Sequence, residues 1–164
     1  MAEMGPEGVR AAGGTSSGPV RDRLRMAVQR LGGKRLLGVE VRSEVDFLKV
    51  LERGVPLGAL SELARQEALS PEDLDRLIIP RRTLAHRKAR HQPLNRVESE
   101  RALRVASLTA LAEETFANRE KAQTWLRRPT SALGGKRPID LLDSEPGARV
   151  IEQLLYRIGH GIAA

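Results

Sequence analysis

"LSPEDLDRLIIPRRTLAHRKARH", residues 69–91, holds two short helical patterns on either side of a break at Ile79-Pro80. The first half opens with strong start signals. Ser70 is an N-cap residue, Pro71 follows in the first turn, and Glu72 and Asp73 oppose the positive end of the helix dipole. Leu74, Leu77 and Ile78 recur at helical spacing and form its apolar stripe. The second half carries five Lys or Arg residues and no acid between Arg81 and His91. Two short helices joined by a tight turn, the second strongly basic, are what a helix-turn-helix requires. The first crosses the DNA backbone and the second presents side chains to the major groove. The pattern predicts DNA contacts from Arg81, Arg82, Thr83, Arg87, Lys88 and Arg90.

Helical signals continue on both sides of this unit. Upstream, Ser43 is an N-cap, Val45, Leu48 and Leu51 share a face, and Gly54 is a stop. Pro56 opens a second amphipathic helix with Leu57, Leu60, Leu63 and Ala64 on one side. Downstream, Pro93 ends the basic helix, and a long helix runs from about Val97 to Phe116 with Val105, Leu108, Leu111 and Ala112 aligned. Asn118 caps a further helix bearing Ala122, Trp125 and Leu126. Val150, Ile151, Leu154, Leu155 and Ile158 make a last stripe, closed by Gly159 and Gly161. No period-2 alternation with turn signals occurs after residue 42. The predicted fold class is all-α.

Charge concentrates in the same region. The chain has 164 residues and a net charge of +7. Residues 40–78 carry nine acids and five bases, residues 79–104 eight bases and two acids, and residues from 105 onward eight bases and seven acids. A basic excess confined to one segment is the footprint of a polyanion partner, most often nucleic acid. Aromatics make up 2% of the chain, so the core must be built from Leu, Ile, Val and Ala. There is no cysteine, which removes disulfides, thiolate metal sites and cysteine nucleophiles. The three histidines have no metal-ligand spacing, and no metal or cofactor is expected. No apolar run approaches the roughly 20 residues that span a bilayer, and the N-terminus has no hydrophobic signal region, so a cytoplasmic location is expected.

The pentapeptide Leu-Gly-Gly-Lys-Arg occurs twice, at 31–35 and 133–137. A glycine pair before lysine suggests a phosphate-cradling loop, but the spacing fails. The first glycine of a P-loop would fall on Thr130 or Val28, and Arg137 or Arg35 stands where Mg²⁺ needs a hydroxyl. Pro138 also has no N–H to offer a phosphate. The physical reading of Gly134-Gly135-Lys136-Arg137-Pro138 is a turn between two helices, with proline presetting the next.

Resemblance adds to this reading. The run from Phe116 through "REKAQTWLRRPTSALGGKRPIDLLDSEPGARVIEQLLYRIGHG" closely resembles the C-terminal toxin-binding domain of the Xre/MbcA/ParS antitoxin family. The matching features are Ala122, Trp125-Leu126, Pro129, Leu133-Gly134-Gly135, Pro138, Leu141-Leu142, Gly147, Val150, Leu155, Ile158 and Gly161. Residues 43–104 are similar to that family's Xre-like helix-turn-helix, most recognisably in "RRTLAHRKA" and "LNRVESERALRVA". One departure is local: Ile78-Ile79-Pro80 stands where the family's turn has Gly-Ile-Ser. The resemblance implies an antitoxin that binds a RES-domain toxin, an enzyme consuming NAD, blocks its active site, and represses its own operon by binding operator DNA. The residues it implies for toxin binding are Trp125, Leu133, Gly134, Gly135, Lys136, Arg137, Arg157, His160 and Gly161. Trp125 also fits a core position, and the charged residues also fit a solvated surface.

The domains so expected are a flexible N-terminal arm over 1–38, a DNA-binding domain over 39–104 and a toxin-binding domain over 105–164. A homodimer is expected, because operators read by a helix-turn-helix are commonly paired half-sites. The other reading kept open is a stand-alone regulator whose C-terminal domain only dimerises. An enzyme is disfavoured: Asp140, Asp143 and Glu145 cluster without a paired base, metal ligand or nucleophile.

Overall fold

A computed structural model of the chain describes residues 19–161. Nine α-helices and two 3-10 segments follow one another, with no strand among the described residues. They are α1 (Pro19–Arg30), α2 (Gly33–Leu37), α3 (Glu44–Arg53), α4 (Leu57–Gln66), α5 (Pro71–Leu77), α6 (Arg81–Ala89), α7 (Arg96–Phe116), α8 (Arg119–Arg127) and α9 (Glu145–Gly159). The 3-10 segments, Ser131–Leu133 and Pro138–Asp143, lie between α8 and α9.

The centre of the molecule is α7. Ala102, Leu103, Val105, Ala106, Leu108, Ala110 and Ala112 are all buried along it, so apolar positions cover most of its circumference. A helix apolar on every side must be enclosed. α1, α3, α8 and α9 pack around it and enclose it. Its start is a capping box that the sequence reading missed: Asn95 accepts from the Glu98 N–H at 2.8 Å, and Glu98 accepts from the Asn95 N–H at 2.8 Å. The caps at Ser43, Ser70 and Asn118 form as the sequence indicates, with Ser70 and Asp73 completing a second capping box.

Several expectations are corrected. The flexible arm drawn over 1–38 is helical from Pro19 to Leu37 apart from the Leu31–Gly32 turn, with Ala27, Leu31 and Leu37 buried; residues 1–18 lie outside the described residues. The boundary drawn at 104/105 falls inside the unbroken α7, which serves both halves. Of the face expected on α3, Leu51 is buried but Val45 and Leu48 are turned outward. Val45 is 61% and Leu48 50% exposed, while Val50 and Leu51 are buried and Phe47 packs beside them. On α9, Val150 is exposed, and Ile151, Leu154 and Leu155 form the buried stripe.

A charged network ties the parts together at Glu67, just past the end of α4. Its side chain is 2% exposed. It accepts from Arg30 of α1 at 2.9 Å and from the Gln123 amide of α8 at 2.7 Å. Arg30 also donates to Glu113 of α7 at 2.5 Å, and Arg127 of α8 donates to the Glu67 carbonyl at 2.8 Å. Burial pushes the Glu67 carboxyl above the usual glutamate range, against the pull of Arg30.

Candidate functional site

α5 and α6 form the expected two-helix unit, and the turn between them works without glycine. Ile78 and Ile79 are both fully buried, and their N–H groups reach back to the Leu74 carbonyl at 3.0 and 2.9 Å. Pro80 then stands as the exposed N-cap of α6. Two isoleucines thus replace a flexible turn with an apolar plug. No residue of α6 is fully buried; Leu84 packs against the core, and the outer side of the helix is exposed.

The six basic-helix residues divide by what they touch. Arg82, Lys88 and Arg90 are exposed and make no ion pair among the described residues. Thr83 is half-buried on the same helix. Arg81 leans back on α5, donating to Glu72 at 2.9 Å, while its N–H donates to Asp75 at 2.5 Å. Arg87 is turned into the protein. Its guanidinium meets Glu98 at 2.7 Å and donates to the Pro93 carbonyl at 3.1 Å, with its side chain 17% exposed. Arg87 therefore fastens α6 to the start of α7, a role the sequence hid because its partner lies eleven residues on.

The glycine-pair loop at 133–137 folds as a tight reversal. Gly134 and Gly135 have φ of +63° and +80°, and the Gly135 N–H donates to the Thr130 carbonyl at 2.9 Å. Lys136, which closes the reversal, is exposed. Arg137 is held by both oxygens of Asp140, at 2.9 and 2.8 Å, and the same carboxylate meets Arg76 of α5. Hydrogen bonding from Arg137, helped by Arg76, keeps the Asp140 carboxyl below the usual aspartate range. Two of the three clustered acids are paired: Asp140 links the loop to the helix-turn-helix, and Glu145 pairs with Arg104 at 3.2 Å.

Of the other expected residues, Trp125 is half-buried with its ring 5.6 Å from that of Phe116, and Leu133 packs partly against the core. Arg157, His160 and Gly161 lie exposed at the end of α9. The sequence reading missed Tyr156. It is 61% exposed and stacks on His160 with ring centroids 3.9 Å apart. The His160 ring nitrogen Nδ1 lies 2.8 Å from the Tyr156 carbonyl. Their i, i+4 spacing on an otherwise polar face was the available signal. A cleft of about 900 Å³ runs beside them, lined by Met26, Leu111, Thr115 and Gln153 among others. Among the described residues no His, Asp and Glu cluster is placed to hold a metal ion, and no helix is long and apolar enough to cross a membrane.

An all-α chain with an exposed basic helix in a two-helix unit, followed by a further helical region with a glycine turn, has the architecture of a helix-turn-helix protein with an appended helical domain. The profile of the antitoxin Xre-like helix-turn-helix domain matches residues 46–107. That of the antitoxin Xre/MbcA/ParS C-terminal toxin-binding domain matches residues 111–161. The chain is 34% identical over 122 residues to an antitoxin Xre of Pseudomonas putida, covering 74% of this chain and 76% of that one. It is 36% identical over 135 residues to a Prs ADP-ribosylating antitoxin of Sphingobium sp., covering 74% and 83%. An antitoxin Xre of Photorhabdus laumondii matches at 27% over 132 residues, covering 79% and 89%. The chain belongs to the Xre/MbcA/ParS family of antitoxins, with a helix-turn-helix domain and a toxin-binding domain, and its partner is a toxin.

Proposed function

We propose that this antitoxin neutralises a RES-domain toxin that consumes NAD, by blocking its active site, and that it represses its own operon by binding operator DNA. The observation that carries the toxin reading is the exposed end of α9, where Tyr156, Arg157, His160 and Gly161 project from the domain that matches the toxin-binding profile. An aromatic and an arginine on such a surface are the residue types that anchor protein interfaces. One relative's name attaches ADP-ribosylation to its system, and ADP-ribosyl transfer draws on NAD. In this reading the exposed end of α9, where Gly161 just past the helix has φ +65°, enters the toxin's cleft, while Lys136, on the glycine turn, and Arg137 contact its rim. Arg82, Thr83, Lys88 and Arg90 carry DNA contact, with Arg81 able to exchange Glu72 for a phosphate.

The proposed assembly contains an antitoxin homodimer. Exposed Val45 and Leu48 on α3, and Val97 at 54% exposure on α7, are apolar surface available to it. Paired half-sites then match a two-fold protein.

The test is co-expression in cells with the RES-domain toxin and a reporter driven by the chain's own upstream region. The chain is expected to restore growth and cellular NAD and to silence the reporter, and the purified antitoxin is expected to scatter light as twice 18.0 kDa. Persistent NAD loss with the chain present at excess, alongside a silenced reporter, would leave a stand-alone regulator instead.

A further inference from the structure

The first copy of Leu-Gly-Gly-Lys-Arg, at 31–35, lies outside both matched profiles. The structure builds it firmly. Leu31 is fully buried and Leu37 is 7% exposed, so α2 is anchored at both ends. Gly32 and Gly33 have φ of +83° and +57°, and a Cβ on Gly32 would lie 2.4 Å from the Leu36 Cδ1. This turn holds Lys34 and Arg35 outward, exposed and without an ion pair among the described residues.

The position of α2 gives these charges a direction. Leu36 packs over Gly58, within 3.8 Å of where a Cβ would stand. Leu57, one residue earlier, lines a cleft of about 430 Å³ with Lys88, His91 and Gln92 from the end of α6. That junction is fixed by the Leu94 N–H donating to the Val55 carbonyl at 2.9 Å and by the Val55 N–H donating to Ser99 at 2.9 Å. Two consecutive residues of α4, Leu57 and Gly58, thus meet the basic end of α6 and the seat of α2 respectively. The acid facing Arg35 is Glu62, and its carboxylate is already occupied by Arg65 and Gln66, each at 2.7 Å.

We propose that α2, through Lys34 and Arg35, is a second DNA-backbone contact that extends the footprint of the helix-turn-helix beyond the C-terminal end of α6. It rests on the reading of α6 as a DNA-binding helix. Its chemistry is phosphate neutralisation by two unpaired cations, which fixes register and adds salt dependence without reading bases. The repeated pentapeptide then serves two partners, with one copy placed for DNA and the other for toxin.

The experiment titrates full-length protein against duplex DNA from the chain's own upstream region across 50 to 200 mM salt. Native chain, K34A/R35A and R82A/K88A are compared, with thermal melts confirming the fold of each. Loss of two phosphate contacts lowers the log–log slope by about 1.8 per protomer, a roughly tenfold smaller loss of affinity across that range. A lower slope for both variants, with K34Q/R35Q matching K34A/R35A, supports the proposal. An unchanged slope for K34A/R35A with a reduced one for R82A/K88A overturns it and leaves the helix-turn-helix reading intact. If neither variant changes the slope, the reading of α6 fails and the proposal fails with it. Weakened toxin inhibition by K34A/R35A at unchanged DNA binding would overturn it in favour of a protein partner.

Discussion

Arg30 is the residue on which three parts of the molecule depend at once. It satisfies the buried Glu67 at 2.9 Å and reaches Glu113 at 2.5 Å, joining α1 to the end of α4 and to α7. Removing one partner of a buried pair leaves an uncompensated charge, so Arg30→Met is expected to cost about 3 kcal/mol. The sign of its pH dependence follows from Glu67. That carboxyl titrates above its ordinary 4.5, so the folded state holds the proton more tightly than the unfolded one. Its stability contribution is greatest below that ordinary value and falls as pH rises through the raised pKa. Without Arg30 the raised value climbs further, and the loss extends to higher pH. Urea denaturation of Arg30→Met is therefore expected to show a larger deficit at pH 8 than at pH 5. A deficit independent of pH would contradict this account of Glu67.

The same fastening logic separates two arginines on one element. Within α6, Arg87 is bound to Glu98 and to the Pro93 carbonyl, whereas Arg82, Lys88 and Arg90 are unpaired. Replacing those three by alanine is expected to lower the salt slope of operator binding by up to about 2.7 per protomer and leave the melting temperature within a few degrees. Arg87→Ala is expected to act mainly on stability, lowering the melting temperature because buried Glu98 loses its cation. A large slope change in Arg87→Ala with an unaltered melt would show that this guanidinium leaves Glu98 for DNA. What was legible in sequence divides along similar lines. Caps such as Ser70 and Asn118 act within three residues, and the sequence states them outright. Apolar faces need a partner to decide them: α3 offers Val45 and Leu48 on one side, Phe47, Val50 and Leu51 on the other, and α7 selects the second. α1 is hard to read from sequence because five of its twelve residues are charged, although Leu24, Ala27, Val28 and Leu31 are helically spaced. Gly54 was legible as a helix stop, but not the Leu94 carbonyl that a Cβ there would meet at 2.0 Å. Contacts of that separation, like Arg76 with Asp140 and Arg87 with Glu98, belong to the fold and have no local signature.

Across the whole molecule, DNA-binding and toxin-binding halves share α7 and are joined again through Asp140, which holds Arg76 on α5 and Arg137 beside the glycine turn. The two functions therefore sit on one framework, and the family assignment requires that a toxin engage the C-terminal part of it. In the proposed function this engagement stops NAD consumption, with the end of α9 filling the toxin's cleft. The direct measurement is NAD turnover by the purified RES-domain toxin, titrated with the intact chain and with a chain lacking residues 160–164. The intact chain is expected to abolish turnover near one antitoxin site per toxin. The shortened chain, which retains Ile151, Leu154 and Leu155 and so the packing of α9, is expected to fold and bind DNA as before but inhibit at least tenfold more weakly, about 1.4 kcal/mol of binding free energy. Turnover that continues unchanged in excess intact antitoxin would contradict the account.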